Sequence, residues 1–152
     1  MNDTLNIRPY TAADKPAVME LLALNIPEYF AFAEAEDLSS YLDKAAELYF
    51  VVELDSRIVG AGGINFENGQ RIGKISWDII HPGFQGTGIG SRLLLYRLRL
   101  LQSMKSIRTI SVRTSQLTYR FYEKHGFQLQ EVHKDYWAAG LDMYKMVYHG
   151  TR

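Results

Sequence analysis

The stretch from Asp78 to Leu101, DIIHPGFQGTGIGSRLLLYRLRLL, constrains the fold more than any other part of the chain. A β-branched pair, Ile79-Ile80, stops at His81-Pro82. Pro82 has no N–H to give to a ladder, so it suits a strand's end rather than its middle. Gly86, Gly88 and Gly90 follow at alternate positions. Beyond them Ile89, Leu93, Tyr96 and Leu100 recur at helical spacing and predict the helix's apolar face. Strand, glycine-rich turn and helix in that order have a physical use. Small residues let the backbone approach a ligand, and the first N–H groups of a helix have no internal partner. With the positive end of the helix dipole they form a phosphate site. The spacing narrows the ligand. A P-loop would carry Gly-Lys-Ser/Thr, and no lysine stands here. A dinucleotide fingerprint would read G-x-G-x-x-G with an acid about 20 residues on, whereas this loop reads G-x-G-x-G.

The 152 residues suffice for one domain with a real core, expected to span 1–152. Lysine plus arginine equals aspartate plus glutamate, 17 each, so no global charge draws the chain to nucleic acid or to an anionic membrane. There is no cysteine, hence no disulfide framework and no thiol nucleophile. His81, His125, His133 and His149 lack the spacing of a zinc site, so no metal is expected. Met1-Asn2-Asp3-Thr4 does not begin a secretory signal, and no apolar run approaches the ~20 residues of a membrane span. A cytoplasmic protein is the default expectation.

Alternation in Leu5-Asn6-Ile7-Arg8 predicts a first strand. Thr11 and Asp14 compete to cap the next helix, and Pro16 favours a start near Asp14. Pro27 breaks that helix. Residues 27–47 read as a second helical region, with an aromatic cluster at Tyr29, Phe30 and Phe32 and with Asp37 as cap of a later piece. Leu48–Leu54 and Ile58–Phe66 read as strands joined at Asp55-Ser56. Gly60, Gly62 and Gly63 thin the second of these, either to admit a ligand or to permit close packing. Asn68-Gly69 predicts a type I′ hairpin into a strand over 70–80. After the long helix, Ile107–Arg113 alternates as a strand, Ser115 caps a short helix closed by Gly126, and two strands end the chain. The element order points to a mixed sheet in an α/β or α+β domain.

The loop Gln85-Gly86-Thr87-Gly88-Ile89-Gly90, behind a strand ending in Pro82, resembles the acyl-CoA loop of the GNAT superfamily of N-acetyltransferases. Phe121-Tyr122-Glu123-Lys124-His125-Gly126-Phe127 resembles that family's aromatic-Tyr-x-x-x-Gly-Phe segment, about 30 residues further on. The resemblance implies a twisted, mainly antiparallel sheet flanked by helices and splayed beside the glycine loop, where acetyl-CoA enters as co-substrate. It implies that the backbone of Gln85, Gly86, Thr87, Gly88, Ile89 and Gly90 holds the pyrophosphate, with Ser91 at its edge. Ile79 and Ile80 would offer main-chain groups to the pantetheine arm, and Tyr122 would serve the leaving thiolate. Family members often carry Asn seven residues before this tyrosine; here Ser115 stands there.

An amine of pKa about 10.4 is almost wholly protonated near neutral pH, so an acceptor needs a route for its proton. Members of the family often place Glu on the strand before the loop. That strand here offers Asp78, the candidate base or amine anchor; the plainer reading pairs it with a neighbouring cation. Alternation would put Asp78 on one face with Lys74 and Ser76, opposite Ile75, Trp77 and Ile79. Glu28, Tyr29, Tyr41 and Asn65 are further candidate acceptor contacts. Two functions are therefore weighed: an N-acetyltransferase acting on a small-molecule or protein amine by direct attack, and a non-catalytic acyl-CoA sensor or interaction module. Dimers are frequent among such relatives, so a homodimer stays open.

Overall fold

The computed structural model describes residues 4–150. In chain order the elements are β1 (Leu5–Pro9), α1 (Lys15–Leu24), α2 (Glu34–Ser40), β2 (Leu48–Leu54), β3 (Arg57–Glu67), β4 (Ile72–Ile80), α3 (Ile89–Gln102), β5 (Thr109–Thr114), α4 (Tyr119–Lys124), β6 (Phe127–Ala138) and β7 (Leu141–Tyr148). The strands form one seven-stranded sheet in the order β1-β2-β3-β4-β5-β7-β6. Every neighbouring pair is antiparallel except β4 and β5. That exception follows from α3, which carries the chain across the sheet before β5 begins, as a parallel pair requires.

The parallel ladder is short. It runs from Ile72 opposite Thr109 to Ile75 opposite Val112 and then stops. From Ser76 onward β4 has no partner on that side, and the sheet splays. Two apolar layers cover its faces. Phe50, Val52, Ile64, Ile75, Leu93, Leu98 and Met146 pack on the α3 side. Tyr49, Val51, Ala61 and Ile79 pack with Val18, Leu22 and Leu38 on the α1–α2 side. The alternation of β2 between these layers is the period-two pattern of a strand buried on both faces.

Several local features differ from the sequence expectation for identifiable reasons. α1 does start just after Asp14, as expected, but a 3-10 turn over Ala12–Asp14 precedes it, and the Asp14 carboxylate accepts the Thr11 N–H at 2.8 Å. Asp37 does not start a helix. Glu34 does, and its Oε2 takes the Ala31 N–H at 2.7 Å. The tight two-residue hairpin is Asp55-Ser56, with φ of 51° and 68°. Asn68 and Gly69 also have positive φ, but so does Gln70, and β4 begins only at Ile72. The Arg71 carbonyl in this longer connection accepts the N–H groups of Arg108 and Thr109, which ties it to the start of β5. On α3 the buried residues are Ile89, Leu93, Leu94, Arg97, Leu98 and Leu101. Tyr96, expected on that face, is 39 % exposed. The buried stripe is thus rotated and has an arginine at its centre.

The largest departure lies in β4. Ser76 pairs with Gly63 and Ile79 with Ala61, so Gly62 alone opposes both Trp77 and Asp78. This is a β-bulge, and Trp77 absorbs it at φ 50°. The extra residue turns Asp78 away from Lys74 and Ser76, which face a recess with Tyr41. Asp78 instead joins Ile75 on the α3 side, against Arg97 and Tyr122.

Candidate functional site

A cavity of about 700 Å³ opens where β4 and β5 part. The second half of β4, the glycine loop, the end of β5 and the start of α4 wall it on one side, and Asn25, Tyr29, Phe30 and Glu34 on the other. Gly60, Gly62 and Gly63 do not line it. They allow close packing instead. A Cβ on Gly62 would stand 2.5 Å from Asp78 Oδ1 and 2.9 Å from Arg97 Nη1, and one on Gly63 would stand 2.5 Å from the Tyr49 ring.

The glycine loop is arranged as a donor cluster. Pro82–Phe84 make one 3-10 turn, and the Thr87 hydroxyl donates to the Phe84 carbonyl. Gly86 and Gly88 sit at φ 80° and 89°, where a side chain would be strained. Among the described residues, the N–H groups of Gly86, Gly88, Ile89, Gly90 and Ser91 find no hydrogen-bond partner. They gather at the head of α3, a helix of 14 residues, so its dipole and its orphan donors act together. Gln85, Gly86, Gly88, Gly90 and Ser91 line the cavity; Thr87 does not, and the Ile89 side chain turns into the core. A phosphate-bearing ligand fits this chemistry.

The flanking positions sort themselves as follows. Ile79 is buried on the α1–α2 side, while Ile80 reaches the cavity. Asn25, at the end of α1, donates from Nδ2 to the Ile80 carbonyl at 3.1 Å and to the Leu21 carbonyl at 2.8 Å. Gln85 Nε2 lies 3.5 Å from Asn25 Oδ1, which tethers the loop to α1. Ser91 Oγ is 2.9 Å from His125 Nε2, and burial, aided by Lys124, holds that imidazole below its ordinary range. Ser115 is buried and lines the cavity, but α4 begins only at Tyr119. Its Oγ accepts the Leu117 N–H at 3.2 Å, so it shapes the turn before the helix rather than capping it.

Tyr122 and Asp78 do meet. The Tyr122 hydroxyl donates to Asp78 Oδ2 at 2.6 Å. Asp78 Oδ1 forms an ion pair with Nη1 of Arg97, whose side chain is wholly buried. Arg97 also donates from Nη1 to the Gly63 carbonyl at 3.0 Å and from Nε to the Leu93 carbonyl at 3.2 Å. Its Nη2 has no partner. Burial drives the Tyr122 phenol well above its usual value, and the Asp78 charge adds to the effect. For Arg97 burial acts downward, yet the Asp78 charge and hydrogen bond outweigh it and the guanidinium is held above its usual value. A phenol held neutral, a carboxylate with both oxygens engaged and a captive cation result.

The acceptor candidates do not converge. Tyr29 lines the cavity, whereas Glu28 is exposed and lies outside its lining. Tyr41 donates to Asn65 Oδ1 at 2.5 Å in a second recess, which shares Lys74, Ser76 and Trp77 with the main cavity. Burial lifts the Tyr41 phenol to about 12. Sequence reasoning missed Arg97, Asn25 and Glu34. Arg97 was discoverable: it falls four residues after Leu93 and four before Leu101, inside an otherwise apolar stripe. Asn25 and Glu34 carried no comparable signal.

Comparison with known proteins adds the family. An acetyltransferase (GNAT) domain matches residues 45–129, more than half of the chain. Solved structures share the fold at low identity. The ribosomal-protein-S18-alanine N-acetyltransferase from Escherichia coli is 14 % identical with a TM-score of 0.79, over 95 % of this chain and 93 % of that one. An aminoglycoside 6′-N-acetyltransferase complexed with coenzyme A is 17 % identical with a TM-score of 0.75, over 93 % and 95 %. A GNAT-family acetyltransferase from Streptococcus pneumoniae is 20 % identical with a TM-score of 0.71, over 95 % and 98 %. Among curated proteins no sequence match is found. The domain match, carried on a sheet that splays beside a glycine loop, means that this chain belongs to the GNAT acetyltransferase family.

Proposed function

We propose that residues 1–152 form a single acetyltransferase domain that moves an acetyl group from acetyl-CoA to a primary amine. The observation that carries this reading is the placement of Gly86, Gly88, Gly90 and Ser91, whose amides are unbonded, and of Tyr122 around one cavity. The amides would hold the pyrophosphate, and the unpaired edge of β4 would receive the pantetheine arm as an added strand. The amine nitrogen attacks the thioester carbonyl; a C–N bond forms, the C–S bond breaks, and the nitrogen loses a proton while the sulfur needs one. No cysteine is present to carry an acyl group, which suits direct attack within a ternary complex.

Tyr122 is the group placed to meet the departing sulfur. Its phenol is held above 10, whereas a thiol ionises near 8.5. Its contribution is therefore a hydrogen bond to the developing thiolate more than an outright proton donation, made when its one O–H turns from Asp78 Oδ2 to the sulfur. In the resting site Asp78 holds this single O–H and competes with the sulfur for it. Both its oxygens are engaged, so water is the favoured route for the amine's proton. The same lock on Tyr122 supports a second reading, a non-catalytic acyl-CoA sensor.

Calorimetry with acetyl-CoA and thiol release with an amine panel separate the two. Tyr122→Phe should lower kcat about 100-fold while changing acetyl-CoA affinity by less than about twofold. Binding without thiol release for any amine favours the sensor. An unchanged kcat removes Tyr122 from the chemistry.

A further inference from the structure

Glu34 is the carboxylate of the cavity wall that no cation matches among the described residues. It stands in the first turn of α2, only 7 % exposed, and lines the cavity. Its Oε2 is tied to the Ala31 N–H at 2.7 Å. Among the described residues no hydrogen bond is found for its Oε1, and the residue is part of the cavity wall. No cation pairs with it among the described residues. The other carboxylate in the wall, Asp78, is matched by Arg97, and the nearby Lys74 is taken by Glu67 at 3.3 Å. A buried carboxylate without a cation is unfavourable, and burial accordingly pushes Glu34 above its usual range, with Asp37 adding like charge. The walls beside it are aromatic. Tyr29 and Phe30 line the cavity, and Phe30 stacks on Trp77 with ring centroids 6.2 Å apart. Such surfaces accept both a hydrocarbon chain and a cation.

Position decides which nitrogen Glu34 would hold. Glu34 comes from the α1–α2 layer, and Tyr122 from the opposite face of the sheet. The cavity joins them through the splay. A molecule that reaches both ends has one nitrogen at the thioester and another charge at Glu34. We propose that Glu34 anchors a cationic group of the acceptor other than the nitrogen that is acetylated, so that the acceptor is a diamine-like cation whose carbon chain lies against Tyr29, Phe30 and Trp77. This rests on the acetyltransferase reading above.

The test compares α,ω-diamines of three to six methylenes with n-alkylamines of the same length. Glu34→Gln is the informative variant, because its amide oxygen can still accept the Ala31 N–H. In the wild type, diamines should exceed matched monoamines in kcat/KM by about tenfold or more, and Glu34→Gln should abolish that ratio. Glu34→Asp should keep a preference but shift it to a longer diamine. Diamine binding, read from Trp77 and Trp137 fluorescence, should weaken in parallel in Glu34→Gln. A ratio near one in the wild type, or one unchanged by Glu34→Gln, overturns the proposal while leaving the acetyltransferase standing. Glu34-dependent diamine binding with no acetylation of any amine keeps the anchor and removes the acetyltransferase. Diamines that neither bind nor react remove the anchor.

Discussion

Two arginines of this chain are each paired with an aspartate, and they teach opposite lessons. Arg8, on β1, is partly exposed, and each of its three guanidinium nitrogens has a partner. It donates to Asp14 Oδ1 and Oδ2 at 2.8 Å each, to Glu53 at 2.8 Å and to the Pro9 carbonyl at 3.1 Å. The fork matches the carboxylate, and the pair ties β1 to the turn before α1. Arg97 is sealed inside the α3 core, and its Nη2 has no partner. Burying a charge pair in that state is at best neutral for stability compared with apolar packing, but losing one partner is severe. The first pair holds an edge in place. The second holds a hydroxyl in place, because Asp78 also receives Tyr122.

The comparison breaks most readily at Arg97. Arg97→Met should destabilise by about 3–5 kcal/mol in urea unfolding, because Asp78 is left half-buried and unpaired. Adding Asp78→Asn should recover much of that loss. Failure to recover would mean that Arg97 acts through packing rather than charge. Next comes Asp14→Asn, about 2 kcal/mol at neutral pH, since hydrogen bonds from Arg8 hold Asp14 at about 2. The native pKa lies below the unfolded value, so this stabilisation is complete above about pH 4 and disappears as the pH falls through about 2. Stability measured against pH for wild type and variant should therefore converge in acid. Least is expected of Gly62→Ala, about 1–2 kcal/mol, because the new methyl group pushes on the Asp78–Arg97 contact. It should also lower kcat with little change in acetyl-CoA affinity; a purely structural glycine would leave kcat alone.

The sequence announced the glycine loop because its chemistry is local. Pro82 ends a strand, Gly86 and Gly88 take left-handed backbone, and the helix that follows needs no distant partner to leave its first amides free. Tyr122 was legible through the short segment around it. The neighbourhood of Asp78 was not, because strict alternation assumes an unbroken strand. One extra residue at Trp77 reversed the face, and neither Trp77 nor Gly62 advertises a bulge on its own. Arg97 was overlooked because arginines on helices are usually solvated, although its place in a leucine stripe argued otherwise. Asp37 and Glu34 are both acids that could begin a helix, and only the packed chain decides which one turns inward.

Four residue pairs are all that fasten β4 to β5. The sheet is therefore two panels, one of four strands and one of three, joined along a partial seam and braced from behind by α3. Peptide groups along the gaping part of that seam must be wetted or else matched by whatever lies between the panels. On the proposed function, an extended amide-bearing arm lying there would do for the protein what an eighth strand would, and occupancy and mechanical closure of the sheet would be one event.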